Sequence, residues 1–288
     1  MIDVHDDGNR YWYRGPNGVL WDMIHGPVIF TDGGLEGTLA PEFEIFHAES
    51  SNRDGRRRTG SRVRERSVLW PVLLSTDSDD PAEFRALWRA WSESFSPDED
   101  GEFIALVGGE LLTLHVHLVE APRAARVDPA HVGSFAGVWE LEASDPFWYL
   151  PTVSIEIEAP SAPQPYYPGY PFRRTAGRQA GRMQVTNPGS EPAPWTVRVH
   201  APSAGFEIVI DGHRVAGTFP VPAGAHLEVN SATTGFYLVA GGRREQLDWG
   251  DFDVDWEPIR AGTSTLQLVN QGAGPITLTF DPKRKEAM

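Results

Sequence analysis

Val138–Tyr149 reads VWELEASDPFWY, and Met183–His200 reads MQVTNPGSEPAPWTVRVH. The first is a run of alternating apolar and acidic residues that stops at Asp145-Pro146 and continues into three aromatics. Strict alternation is the mark of a strand with one buried face, and Pro cannot continue such a ladder. The second is a strand, an Asn187-Pro188-Gly189 turn, a proline-spaced connection and another strand. Outward from these two stretches the same rhythm persists. Glycine and proline number 29 and 24 in 288 residues, without a collagen-like period, which favours many short strands joined by tight turns. The length suits two domains.

Residues 28 to 46 alternate apolar runs with Gly33-Gly34 and Gly37. Ser50–Arg66, SSNRDGRRRTGSRVRER, is the one strongly basic block, with Asp54-Gly55 and Thr59-Gly60 as turn points. It reads as a hairpin tip leading into a strand from Val63 to Leu74, its arginines pairing the acid of neighbouring subunits. A nucleic-acid arm is the weaker reading, because no aromatic residues interleave the arginines for base stacking. Asp80-Pro81-Ala82-Glu83 supplies an N-cap, a first-turn proline and a capping-box glutamate. Phe84, Leu87, Trp88, Trp91 and Phe95 then make one apolar stripe, predicting a core helix over 81–95 that Pro97 stops. Strands are expected at Phe103–Val107, Leu111–Val119 and Val138–Ala143, with Gly108-Gly109 turning the first pair. The stretch APSAPQPYYPGYPFRRTAG, between Ala159 and Gly181, reads as an extended connector. Beyond it, strands near Met183–Thr186, Trp195–His200, Glu207–Ile210, His226–Val229, Gly235–Val239, Thr265–Asn270 and Ile276–Phe280 describe a β-sandwich or jelly roll.

The chain has no cysteine, so neither disulfides, thiolate metal sites nor thiol catalysis enter. Net charge is −15, from 40 acidic and 25 basic residues, which opposes tight binding to nucleic-acid phosphates. The acidic start MIDVHDDGNR is unlike a secretory signal, and no apolar run approaches a membrane span. A chain made in the cytoplasm and without a membrane partner is the expectation.

His115 and His117 share a strand face at a spacing that suits zinc, and only His131 is near in sequence as a third ligand. A polar strand face is the simpler reading. Asp251, Asp253 and Asp255 begin like a calcium loop, but Trp256 and Gly262 stand where glycine and glutamate are required. A glycosidase pair among these carboxylates lacks any feature that would raise one pKa. The sequence contains no nucleophile elbow, P-loop, zinc-protease helix or dinucleotide fingerprint. No catalytic residue, metal or cofactor is assigned. Weak glycan contacts are assigned to Tyr166, Tyr167, Tyr170 and Trp195, whose rings suit pyranose stacking.

The strand ending in "DPFWY", followed by "VTNPGSEPAPW", resembles the distal tail proteins, or minor tail proteins, of long, flexible-tailed bacteriophages. Ala261–Phe280, AGTSTLQLVNQGAGPITLTF, is similar to that family's last hairpin. The resemblance implies a mainly β chain: residues 1–150 as a β-barrel-like ring domain with one helix, 151–181 as connector, and 182–288 as a galectin-like or jelly-roll sandwich. It implies a virion structural protein of the tail tip, assembled in the host cytoplasm. A homo-hexameric ring would join the tail tube protein to the tail-tip hub protein and display receptor-binding components. DNA would pass through the channel without specific binding. The arginine-rich hairpin and the Pro/Tyr-rich connector depart from the family pattern. Arg56, Arg57, Arg58 and Arg62 are therefore assigned to a partner interface, turned away from the channel and towards acidic protein. A host-surface glycan is a further partner. The alternatives are a free carbohydrate-binding sandwich and, behind it, a glycan-degrading enzyme.

Overall fold

The computed structural model describes residues 8–31, 35–50, 53–78, 80–122, 128–157, 179–248, 250, 252–272 and 274–287. The chain divides into two units, Met1–Leu150 with Arg284–Met288, and Pro151–Lys283.

In the first unit, β1 (Arg10–Arg14), β2 (Leu20–Asp22) and β3 (Val28–Phe30) precede a long hairpin, β4 (Phe43–Ser50) and β5 (Arg53–Val63). Then come β6 (Arg66–Ser75), α1 (Pro81–Ser92), β7 (Gly101–Val107), β8 (Glu110–Glu120), β9 (Ser134–Ala143) and β10 (Trp148–Tyr149). The main sheet runs β2-β1-β7-β8-β9-β6-β3. Phe30 N–H donates to the Met23 carbonyl at 2.9 Å, drawing the two edge strands together into a nearly closed barrel-like sheet. Closure of this kind removes the unpaired edges that make β domains aggregate. The alternation seen in sequence sets the faces: Val68, Trp70, Val72 and Leu74 of β6 and Trp139, Leu141 and Ala143 of β9 are buried inward. They meet Tyr13, Phe103 and Trp148 in one aromatic-rich core.

Helix α1 begins as the sequence predicts, Asp80 Oδ1 accepting the Ala82 N–H at 2.9 Å, but it ends at Ser92, not Phe95. The buried Ser94 is the reason. Its carbonyl accepts the Tyr13 hydroxyl at 2.8 Å, and its Oγ accepts the Trp21 indole N–H at 2.8 Å. Both anchors hold the chain to the sheet just past the helix, and Phe95 packs on Tyr13 from outside it, at 4.9 Å between ring centroids.

The second unit is a sandwich. One sheet runs β11-β21-β13-β16-β17-β18 and the other β12-β20-β14-β15-β19. In chain order these are β11 (Val153–Ile157), β12 (Gln179–Asn187), β13 (Trp195–His200), β14 (Ser203–Ile210), β15 (His213–Gly217) and β16 (Ala225–Asn230). They continue with β17 (Gly235–Ala240), β18 (Arg243–Gln246), β19 (Phe252–Val254), β20 (Gly262–Gly272) and β21 (Ile276–Phe280). Val197, Val199, Leu227 and Leu278 from one sheet face Phe206, Ile208, Leu266 and Leu268 from the other.

Two boundaries differ from the sequence reading. Val153–Ile157, placed in the connector, is a strand in register with β21, Ile155 opposite Leu278. Residues from Arg284, assigned to the sandwich, group with the first unit. The rest of the connector, 158–178, lies outside the described residues.

Candidate interaction surfaces

The basic block is a strand, not a turn. β5 begins at Arg53 and pairs with β4 along the whole arm, Glu44 opposite Arg62, Ala48 opposite Arg57 and Glu49 opposite Arg56. Register shifts between Phe46–Gly60 and His47–Arg58, so Thr59, read from sequence as part of a turn, is the extra residue of a bulge. Gly55, in the other expected turn, keeps a left-handed φ of +86° within the strand. These two strands form a sheet of their own and join no third among the described residues.

Part of the arm's charge is satisfied internally. Arg56 Nε lies 2.7 Å from Glu49, and Arg62 Nε 2.7 Å from Glu44, with Arg64 at 3.4 Å from the same carboxylate. Arg58 donates to Ser61 Oγ at 2.8 Å. Arg57 and Arg58 have no carboxylate partner among the described residues. The arm also carries what its sequence conceals. Phe43, Ile45 and Phe46 are 53%, 48% and 43% exposed. As an apolar run they read like core. Among the described residues no further strand or helix covers β4, though the Lys285 ammonium lies 5.8 Å from the Phe43 ring centroid, and local sequence does not encode that exposure.

Arg66 belongs with none of this. It is 2% exposed, donating to three carbonyls: Pro146 at 2.8 Å, Gly37 at 2.7 Å and Lys285 at 2.5 Å. Burial lowers its pKa to about 10, and it stays protonated at neutral pH. It ties the segment before the arm, the turn after β9 and the returning carboxy terminus to one point.

A second surface lies on the outward face of β8, β9 and β6. Val119 is the extra residue where register shifts between Leu118–Leu141 and Glu120–Glu140, and it is 53% exposed. Val138, opposite Pro71, is 50% exposed. Glu140 and Glu142 follow at two-residue steps on the same outward face, with Leu69 and Leu73 half-buried on β6.

The other candidates are placed as follows. His115 packs edge-on against Tyr149 at 5.4 Å between centroids, while His117 sits 3.2 Å from Asp100 and 3.7 Å from Glu142. His131 lies beside Asp128, at 3.7 Å, in a short turn of 3-10 helix, Pro129–His131. No cluster of three potential metal ligands occurs among the described residues. Asp253 pairs with Arg214 and Asp255 with His213 at 2.8 Å, so both carboxylates have cationic or imidazole partners. Asp251 lies outside the described residues.

Of the assigned glycan contacts, Tyr166, Tyr167 and Tyr170 also lie outside the described residues. Trp195 is corrected: it is buried, its indole N–H donates to the Glu257 carbonyl at 2.8 Å, and its ring lies 5.6 Å from that of Trp256. Such a side chain has no face to offer a pyranose. A groove of about 580 Å³ between α1 and the Pro129–His131 turn is lined by Phe84, Trp88, Arg89 and Phe135.

A barrel-like β unit with one helix, followed by a two-sheet sandwich, is a fold this chain shares along nearly its whole length with solved phage hub and baseplate structures. Among solved structures it is similar to SPP1 Dit (gp 19.1), described as a paradigm of the hub adsorption apparatus in Gram-positive infecting phages. That match has a TM-score of 0.65 and 14% identity, covering 96% of this chain and 98% of that one. A chain of the phage P2 baseplate in its activated conformation with Ca matches at 0.54 with 11% identity, over 96% of this chain and 98% of that chain. The corresponding structure with Sr matches at 0.55 with 10% identity, over 97% and 99%. No protein-family model and no curated protein matches the sequence.

Proposed function

We propose that this chain is a structural component of a phage tail tip. In this reading a homo-hexameric ring built by the first unit joins the tail tube to the hub, and the sandwich displays peripheral or receptor-binding components. The observation that carries it is the end-to-end likeness to SPP1 Dit, in which both units are matched in one alignment spanning 96% of this chain. A free lectin has no use for the barrel unit, and the one assigned glycan contact that is described, Trp195, is inside the core. The chemistry of the surface fits the same role. A chain of net charge −15 repels DNA and leaves it mobile in a channel, while the arginine arm meets acidic protein. The protein's place is the virion, after assembly in the host cytoplasm. Electron microscopy of the purified chain tests this: six-fold rings support it, and a homogeneous dimer or tetramer overturns it.

A further inference from the structure

The geometry points to a binding site for an acidic saccharide, a sugar carrying one carboxylate, on the outer face of the sheet β12-β20-β14-β15-β19. The inference goes beyond the tail-tip reading and stands without it.

Alternation along β20 turns Leu266 and Leu268 into the sandwich core and leaves Thr265 and Gln267 on the outer face. Register sets Gln267 between Arg182 of β12 and Val209 of β14, so a cation, an amide and an aliphatic side chain lie in one row across three strands. Past Val209 the two-residue turn Asp211-Gly212 joins β14 to β15, both residues holding a left-handed φ, of +50° and +96°. Asp211 is then fixed to β20 at two points. Its N–H donates to the Thr265 carbonyl at 3.0 Å, and its Oδ1 accepts the Thr265 N–H at 2.7 Å. Arg182, Val209, Asp211, Gly212, Thr265 and Gln267 line a pocket of about 400 Å³, a volume within the range of small-molecule sites.

The fold does not use up the polar groups of this pocket. Arg182 is exposed and has no carboxylate partner among the described residues, whereas Arg214, on the same face, is held by Glu207 and Asp253. The Thr265 hydroxyl and the Gln267 amide are half-buried and make no side-chain hydrogen bond among the described residues. Asp211 keeps its second carboxylate oxygen as an acceptor.

Those groups select the ligand. Amide, hydroxyl and carboxylate together both donate and accept, which matches sugar hydroxyls, since each of them does both. The guanidinium adds a demand for negative charge, and its planar fork fits a carboxylate through two parallel bonds. Asp211 limits that charge, because a dianionic phosphate monoester would meet its carboxylate as well. Val209 gives the C–H face of the ring an aliphatic contact. A peptide fits less well, since the lining offers only Val209 as an apolar anchor. No aromatic lines the pocket, so ring stacking adds nothing and the affinity is low.

Saturation-transfer NMR on the full-length chain suits a weak site, with D-glucuronate as the probe and D-glucose and acetate as comparisons. Saturation is expected on the ring protons of glucuronate, with glucose bound more weakly and acetate a poor competitor. Arg182→Gln should lower the affinity for glucuronate about tenfold, the loss of one charge-assisted contact. Thr265→Val, which keeps the branched shape and removes the hydroxyl, should lower it several-fold. Arg243→Gln removes the same charge from an exposed position on β18, in the other sheet, and should leave binding at the parent value. Thermal unfolding of each variant confirms that the sandwich is intact. No transfer to glucuronate overturns the site. So does an equal loss in Arg243→Gln, which would mean attraction by surface charge alone, and so does acetate competing as well as glucuronate, which would mean an anion site blind to the sugar. Ring mass does not enter this readout, so its failure leaves the tail-tip reading standing.

Discussion

Glu44 on β4 and Arg62 on β5 face each other across the arm, the guanidinium Nε donating to the carboxylate at 2.7 Å. Arg62, then Arg64, holds the Glu44 carboxyl below the usual range. The pair is open to solvent, where ion pairs of this kind contribute little to stability. Glu44→Gln is therefore expected to leave the thermal unfolding midpoint at the parent value. A fall as large as that of the buried-site variants below would show that these charges hold the fold.

Asn187 is the opposite case. Buried in the sandwich, it donates to the Glu191 and Ile259 carbonyls at 3.0 Å each and accepts the Gly189 N–H at 2.9 Å. One side chain thus closes the Asn-Pro-Gly turn and fastens it to the segment after β19. Asn187→Ala removes all three bonds; the Ile259 carbonyl keeps the Ala193 N–H, but the Gly189 N–H loses its acceptor, at a cost of about 1–3 kcal/mol for a buried group left unsatisfied. Urea unfolding should show the loss in the sandwich transition. An unshifted midpoint would mean that water replaces the amide fully.

Arg66 makes a parallel prediction for the barrel unit. Its planar guanidinium reaches three carbonyls from three separate segments, a geometry that an ammonium cannot copy. Arg66→Lys keeps the charge, yet it should destabilise by about 2 kcal/mol, roughly the worth of one hydrogen bond to a charged donor. Equal stability of the lysine variant would show that charge alone, without the fork, suffices.

The architecture was largely legible because it rests on local signals. Alternation around Trp139 and Leu141 gave the inner face of β9, and Asp80-Pro81 gave the start of α1. What stayed hidden depends on distant partners. Phe95 falls outside the helix because Tyr13 and Trp21 capture Ser94, residues more than seventy positions away. Val153–Ile157 looked like part of a connector because its pairing strand, β21, comes over a hundred residues later. Arg66 looked like one more member of a basic run, and burial by three remote carbonyls sets it apart. The arm's exposed aromatics had the composition of core. The sequence reading thus singled out the arm's arginines and passed over its exposed apolar residues.

The sandwich should weaken in mild acid. His226 stands opposite His200 across β13 and β16, with 5.3 Å between ring centroids. Burial, then the neighbouring His200 and Arg198, lowers its pKa from 6.5, against a smaller opposing pull from Glu228. The folded state therefore resists a proton that the unfolded chain accepts. Its contribution is fully present above pH 6.5 and is lost as pH falls below that value towards the lowered folded pKa. His226→Gln should flatten this part of the stability profile, measured by urea unfolding across the range. Parallel profiles for parent and variant would rule the pair out as its source.

The barrel unit makes the last prediction. Its main sheet is drawn nearly closed through Met23 and Phe30, so the arm is left as the long unpaired β surface among the described residues. Unpaired strand edges and exposed aromatics are costly in a stable β protein, and in the proposed assembly identical copies would remove them by closing on one another. Six copies of a 31.8 kDa chain give about 190 kDa, which mass photometry separates from lower states. In the proposed hexamer, six chains of charge −15 would make a strongly negative ring. It should accordingly show no retention of duplex DNA at physiological salt, where phosphate contacts by Arg and Lys are what hold nucleic acid. Gel-shift at rising salt reads this directly. Tight binding that weakens steeply with salt would mean that the arginines line the channel, and that the arm does not meet acidic protein.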